Sequence, residues 1–305
     1  MPLRAVRPGD TIALVSPASP LSEERLEFVT GVLINDGYRV RTMPHALERD
    51  DYLAGDDRDR AQDLHDAFDD PDVSAVLCTR GGYGCARLFP YLDLHKIASA
   101  NKMLLGFSDV TTLHVALNRR GVPTVHSPMA LTLSYPREPW VIDSFLRVIR
   151  NDLRIPEAAP KPTTVVGGVA EGVVVGGCMC LLADTIGTPE ALDAKDKILL
   201  IEDVDEHPHR IDALLTHLIN SGVAGSAAGF LIGEMTRTDE RVDEAIGGKP
   251  WRTIVKERLA PLGKPLVIDF PLGHAKNMLT LPLGIRARLD ADSGTLTYLE
   301  SLCEA

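Results

Sequence analysis

The chain has 305 residues, 45% of them hydrophobic and 25% charged, with a formal net charge of −11. That length suits two domains of ordinary size, and that balance suits a globular protein whose core forms without disulfides or metal staples. An acidic chain argues against nucleic acid, whose phosphates are bound through lysine and arginine; no apolar run is long enough for a signal peptide or a membrane span, so no membrane partner and a cytoplasmic location are expected.

In chain order, "TIALVSP" reads as a strand, and "SEERLEFVTGVLINDGY" as an amphipathic helix ending at Gly37. "YRVRTMP" is a second strand candidate. "DDRDRAQDLHDAFDDP" is a second helix with Ala61, Leu64, Ala67 and Phe68 on one face. "VSAVLCTRGGYG" is a strand running into glycines, and "KMLLGFSDV" is another, followed by the helix "TTLHVALNRRG". This alternation predicts an N-terminal domain, residues 1–150, built on a parallel sheet covered on both faces. Residues 151–172, with three prolines and several glycines, read as a linker. Beyond it, strands "KILLIED", "AAGFLIGEM" and "PLVIDFPLGH" alternate with helices "HRIDALLTHLINSG" and "PWRTIVKERLAPLG". A second, smaller α/β domain over residues 173–305 is expected.

The five cysteines, Cys78, Cys85, Cys178, Cys180 and Cys303, are scattered as reduced, mostly buried thiols would be. Cys178 and Cys180 form a lone C-x-C with no second pair, so no zinc site, and no metal or cofactor elsewhere, is expected.

Polar chemistry gathers at three strand ends, where open α/β sheets place their sites. "CTRGGYGCARL" is either a tight turn or an anion-binding loop; it matches neither a dinucleotide fingerprint nor a P-loop. Gly106-Phe107-Ser108-Asp109 puts Ser108 on a strand-to-helix turn, the setting of a nucleophile elbow, though Val110 replaces the second glycine of G-x-S-x-G. Ser108 or Asp109 as a simple helix cap explains the same residues. In "LLIEDVDEHPHRIDALL", Glu202 ends an apolar strand, with Asp203, Asp205, Glu206, His207 and His209 behind it. An acidic turn accounts for Asp205 and Glu206, and a divalent-cation cluster is the alternative.

A serine nucleophile needs a general base and a group to orient it. Of nine histidines, His45, His65, His95 and His217 read as surface residues, and His114 faces away from Ser108 on the same helix. His126 and, better placed after a strand and a Pro-Leu-Gly turn, His274 remain.

The motifs "VSPASP", "RGGYG", "GFSDVT", "IEDVDEHPHRID" and "PLGHAKNMLTLPLG", in this order, closely resemble the L,D-carboxypeptidases of the serine peptidase class, over nearly the whole chain. The resemblance implies an amidotransferase-like N-terminal sheet domain with a smaller C-terminal α/β domain. It also implies a triad of Ser108, Glu202 and His274, with an oxyanion hole from the N–H groups of Gly82 and Asp109. Arg80 and Gly81 are candidates for substrate binding. The implied substrate is a murein tetrapeptide that loses its terminal D-alanine in cell-wall recycling, and the implied assembly is a homodimer. One departure stands out: Gly176-Gly177-Cys178-Met179 replaces the G-G-N-L of many relatives, which bears on substrate detail and leaves the triad intact. Rival readings are a microcin C immunity-type peptidase that cleaves a peptide-nucleotide, a metal-dependent hydrolase using the Glu202 to His209 cluster, and a binding module for a small anion.

Overall fold

The computed structural model describes residues 3–304. They form two compact units. One comprises the chain up to Arg154 with Thr280–Pro282 and the segment from Ser301; the other comprises Ile155–Leu279 and Leu283–Glu300.

The first unit runs β1 (Thr11–Val15), α1 (Glu23–Asn35), β2 (Arg39–Thr42), α2 (Asp57–Asp69), β3 (Val73–Cys78), α3 (Leu94–Ser99), β4 (Met103–Gly106), α4 (Thr111–Arg119), β5 (Thr124–His126), α5 (Ala130–Leu133) and α6 (Pro139–Ile149). Every residue of β1, β3 and β4 is buried, as a parallel sheet covered on both faces demands. The pairs β2–β1, β1–β3, β3–β4 and β4–β5 are all parallel. Helix α1 buries Leu26, Val29 and Leu33, while α2 buries Ala61, Leu64, Ala67 and Phe68, the face expected from the spacing. Asp56 caps α2 by accepting from the Arg58 N–H at 2.7 Å. Because β3 and β4 are neighbours, with Leu77 opposite Leu105, the loops leaving their carboxyl ends emerge side by side. Those loops are "RGGYG" and "FSD".

The second unit carries β6 (Thr163–Val166), β7 (Val169–Cys178), α7 (Met179–Asp184), β8 (Ile198–Val204), α8 (Pro208–Asn220), α9 (Val223–Ser226), β9 (Gly229–Thr236), α10 (Trp251–Leu259) and β10 (Leu266–Ile268); β11 (Leu281–Leu283) follows, then β12 (Arg286–Asp290) and β13 (Thr295–Tyr298). Strand β11 joins the first unit's sheet, next to β5. The second sheet has the order β13-β12-β7-β8-β9-β10-β6. Its centre, β7 to β10, is parallel, and the flanking pairs β12–β7, β13–β12 and β6–β10 are antiparallel. The molecule is thus a two-domain α/β protein.

Two expectations need correction. Residues 151–172 are not a linker throughout, since β6 and the start of β7 lie within them. Glycines disguised the strand: a Cβ on Gly176 would come within 1.9 Å of the Leu200 carbonyl oxygen, so only glycine permits this approach of β7 to β8. Nor does the second domain run unbroken to the C-terminus. Thr280–Pro282 and the segment from Ser301 return to the first unit, where Leu3 pairs with Cys303 and Leu302 is fully buried.

Candidate active site

In the first unit, β4 ends at Gly106 and Ser108 takes a left-handed backbone, φ +62°. A non-glycine residue there costs on the order of 1–3 kcal/mol and persists only where its surroundings impose it. Two buried contacts do so. The His114 Nε2–H donates to the Gly106 carbonyl at 2.9 Å, and the Asp109 carboxylate accepts from the Cys85 N–H at 2.8 Å. Burial drives the His114 pKa down to about 3, so its ring is neutral and holds the turn as a donor. Burial raises the Asp109 pKa, and the Cys85 N–H opposes that rise. His126 is buried, its ring edge-on to Phe107 at 5.7 Å.

The capping explanation of this turn fits poorly. An N-cap residue has extended backbone, unlike Ser108, and the residue preceding α4 is Val110. The "RGGYG" loop also proves to be more than a turn. A Cβ on Gly81 would lie 2.8 Å from the Ser108 Cβ, 2.9 Å from its Oγ and 3.3 Å from the Asp109 nitrogen. The bare Gly81 backbone therefore borders the Ser108 hydroxyl and the Asp109 N–H. Gly82, at φ +111°, packs against Ser19, whose Oγ accepts from the Tyr83 N–H at 3.4 Å. Arg80 is half-buried, with its guanidinium donating to the Pro20 carbonyl at 3.3 Å.

In the second unit, Glu202 is fully buried on β8. Its Oε2 accepts from His274 Nδ1 at 2.7 Å and from the His274 backbone N–H at 3.2 Å. Gly273 makes this possible: at φ +79°, a Cβ would fall 2.3 Å from Glu202 Oε2. An imidazole that donates through Nδ1 carries its basic lone pair on Nε2. Burial disfavours the imidazolium, but the charge and hydrogen bond of Glu202 outweigh it and raise the His274 pKa above 6.5. Asp203 is also buried, and desolvation, aided by the charge of Glu202, pushes its pKa up to about 6.

The rest of the acidic loop is engaged elsewhere. Asp205 accepts from Arg237 Nε at 2.8 Å and Arg241 Nη2 at 2.6 Å, which holds it well below the usual carboxylate range. His207 Nδ1–H donates to the Arg241 carbonyl at 2.7 Å, and the rings of His207 and His209 stack at 5.4 Å. Among the described residues, the group able to offer three ligand atoms to one ion is Cys178, Cys180 and Asp203, which takes only Asp203 from the Glu202 to His209 run.

Ser108, Asp109, Arg80, Gly81 and Gly82 thus belong to the first unit, and Glu202 and His274 to the second. Sequence reasoning misses Gly273, Ser19 and the bracing His114. Gly273 has a legible signal, a glycine directly before the candidate histidine. His45, expected at the surface, instead donates through its Nδ1–H to the buried Asp63 at 2.8 Å.

Comparison with known proteins adds the context. Residues 12–127 match the family model of the LD-carboxypeptidase N-terminal domain, and residues 171–289 that of the C-terminal domain. The chain is 40% identical to a carboxypeptidase-like protein of Streptomyces coelicolor over 298 residues, covering 95% of this chain and 93% of that one. It is 32% identical to the murein tetrapeptide carboxypeptidase of Pseudomonas aeruginosa over 296 residues, 92% and 93% of the two chains. The solved structure of MccF, the microcin C7 self-immunity protein, bound to glutamyl sulfamoyl guanosine shares the fold, with TM-score 0.87 over 99% of each chain at 21% identity.

Proposed function

The chain belongs to the LD-carboxypeptidase family and is a carboxypeptidase-type hydrolase, and on that footing we propose a serine mechanism that releases the terminal D-alanine of murein tetrapeptides. The observation that carries the proposal is the imidazole of His274, oriented and made more basic by a fully buried glutamate at 2.7 Å. Such a ring is built to take a proton on Nε2. Ser108, on its left-handed turn, is the group whose proton is taken. As its Oγ attacks the scissile carbonyl, the imidazolium that forms is stabilised by Glu202. The developing oxyanion accepts from the N–H groups of Gly82 and Asp109; loss of one such donor typically costs about 10²–10³ in rate. His274 then protonates the departing D-alanine amine, and water, deprotonated by the same ring, releases the acyl group.

Arg80 pairs with a substrate carboxylate in this scheme. The protein works as a homodimer in the cytoplasm, on peptides recovered from the cell wall. Incubating the purified chain with a defined murein tetrapeptide and with a peptidyl-nucleotide tests the substrate. D-alanine release from the first, lost in Ser108→Ala, is expected. Cleavage of the nucleotide conjugate alone would move the chain to the immunity-type reading, and activity abolished by EDTA and restored by zinc would overturn the serine mechanism.

A further inference from the structure

Strand β7 ends at Cys178 directly opposite Glu202 of β8, and Asp203 follows on β8. Three side chains converge there: the Cys178 and Cys180 sulfurs are 3.5 Å apart, and the Cys178 Sγ lies 3.4 Å from Asp203 Oδ1. All three candidate ligand atoms lie within 4.8 Å of one another. We propose that Cys178, Cys180 and Asp203 form a binding site for one soft divalent cation of the zinc type, with two thiolates, one carboxylate and a fourth position for water.

Two of the three edges are close to those of a tetrahedral ion, and the third lies within 4.8 Å. Zinc–sulfur bonds of about 2.3 Å and zinc–oxygen bonds of about 2.0 Å give sulfur–sulfur edges of about 3.8 Å and sulfur–oxygen edges of about 3.5 Å. The observed separations of 3.5 and 3.4 Å need only a small opening of the sulfur pair. The carboxylate is already oriented by the backbone, since Oδ1 accepts from the Val204 N–H at 2.8 Å and Oδ2 from the Cys180 N–H at 2.9 Å. Oδ2 keeps a second lone pair, and that of Oδ1, which accepts from the Cys178 S–H at 3.4 Å, is freed when the thiol ionises; outer hydrogen bonds of this kind orient metal-bound carboxylates. Plain packing accounts for a buried Cys178, and helix capping for the Asp203–Cys180 bond. Neither accounts for the second thiol, that of Cys180, set against the Cys178 sulfur that touches this carboxylate. Cys180 is partly exposed and gives an ion its way in, whereas Cys178 is buried. Binding releases the thiol protons, since the thiolate is the ligand.

The test uses the whole chain, reduced and freed of metal, titrated with Co²⁺ and then Zn²⁺ while absorbance and bound metal are measured. One Co²⁺ per chain with thiolate-to-cobalt charge-transfer absorption, displaced by Zn²⁺, is expected. Cys180→Ser, a near-isosteric change at a partly exposed position, should weaken binding roughly 10–100-fold or more, and Asp203→Asn should weaken it too. Thermal unfolding confirms that each variant is folded. No stoichiometric uptake, uptake without the thiolate band, or parent-like binding in a folded Cys180→Ser variant overturns the site. So does conversion of both thiols to a Cys178–Cys180 disulfide in place of metal uptake. None of these readouts depends on turnover, so they stand or fall apart from the serine mechanism.

Discussion

Ser108 holds its position at a cost in backbone strain, and this makes the residue separable from the fold. Glycine adopts φ +62° without that penalty. Ser108→Gly should therefore stabilise the protein by about 1 kcal/mol in chemical denaturation, after allowing for glycine's greater unfolded-state entropy, while abolishing peptide hydrolysis. A destabilised Ser108→Gly protein would mean that the turn is relaxed. His274 gives a second prediction at this scale. In the proposed mechanism its neutral form is the base, and its pKa is raised above the usual 6.5, so kcat/KM should fall as pH drops through that raised value. Glu202→Gln removes the charge that raises it. The acid limb of the pH profile should then move to lower pH as the overall rate falls, and an unmoved limb would show that Glu202 does not set the basicity of the ring.

Among the elements, the loops after β3 and β10 carry close approaches to Ser108 and Glu202 that glycines make possible. Gly81→Ala would drive a methyl within 2.9 Å of the Ser108 Oγ, and Gly273→Ala within 2.3 Å of Glu202 Oε2. Each should cut hydrolysis by at least about 100-fold, while circular dichroism reports an intact fold. Near-parent activity in either variant would relocate the site. These same elements show what the chain makes legible. Largely apolar runs such as "TIALV" and "VSAVLC" announce buried parallel strands, and Glu202 stands out because a carboxylate caps such a run. The left-handed turn at Ser108 is not written in its residue type; it emerges only once His114 and Asp109 are seen to brace it. Strand β7 is obscured by glycines that read as loop but serve a close approach to β8. Strands β12 and β13 are short, with alternate residues turned inward, and sit in antiparallel pairs at the sheet margin that strand–helix alternation does not anticipate.

Across the whole molecule, the first unit is completed by residues distant in sequence. Leu3 N–H donates to the Leu302 carbonyl at 3.0 Å, the Glu304 N–H donates to the Leu3 carbonyl at 3.0 Å, and Asn151 Oδ1 accepts from the Leu302 and Cys303 N–H groups. Deleting residues 301–305 removes the fully buried Leu302 and should cost the protein at least about 2 kcal/mol, read as a lower midpoint in urea. An unchanged midpoint would show that the C-terminal segment only decorates the unit. The domain that carries Ser108 is therefore not an N-terminal half that can be cut free at Arg154.

The proposed mechanism rests on Ser108 and His274 acting in one reaction. Its most direct measurement is kcat/KM for D-alanine release by Ser108→Ala, His274→Ala and the double variant. Residues that act as a unit lose nearly everything together, so the double variant should be no slower than the worse single variant, with each single loss on the order of 10³-fold or more. Losses that multiply in the double variant would contradict a shared Ser108–His274 chemistry.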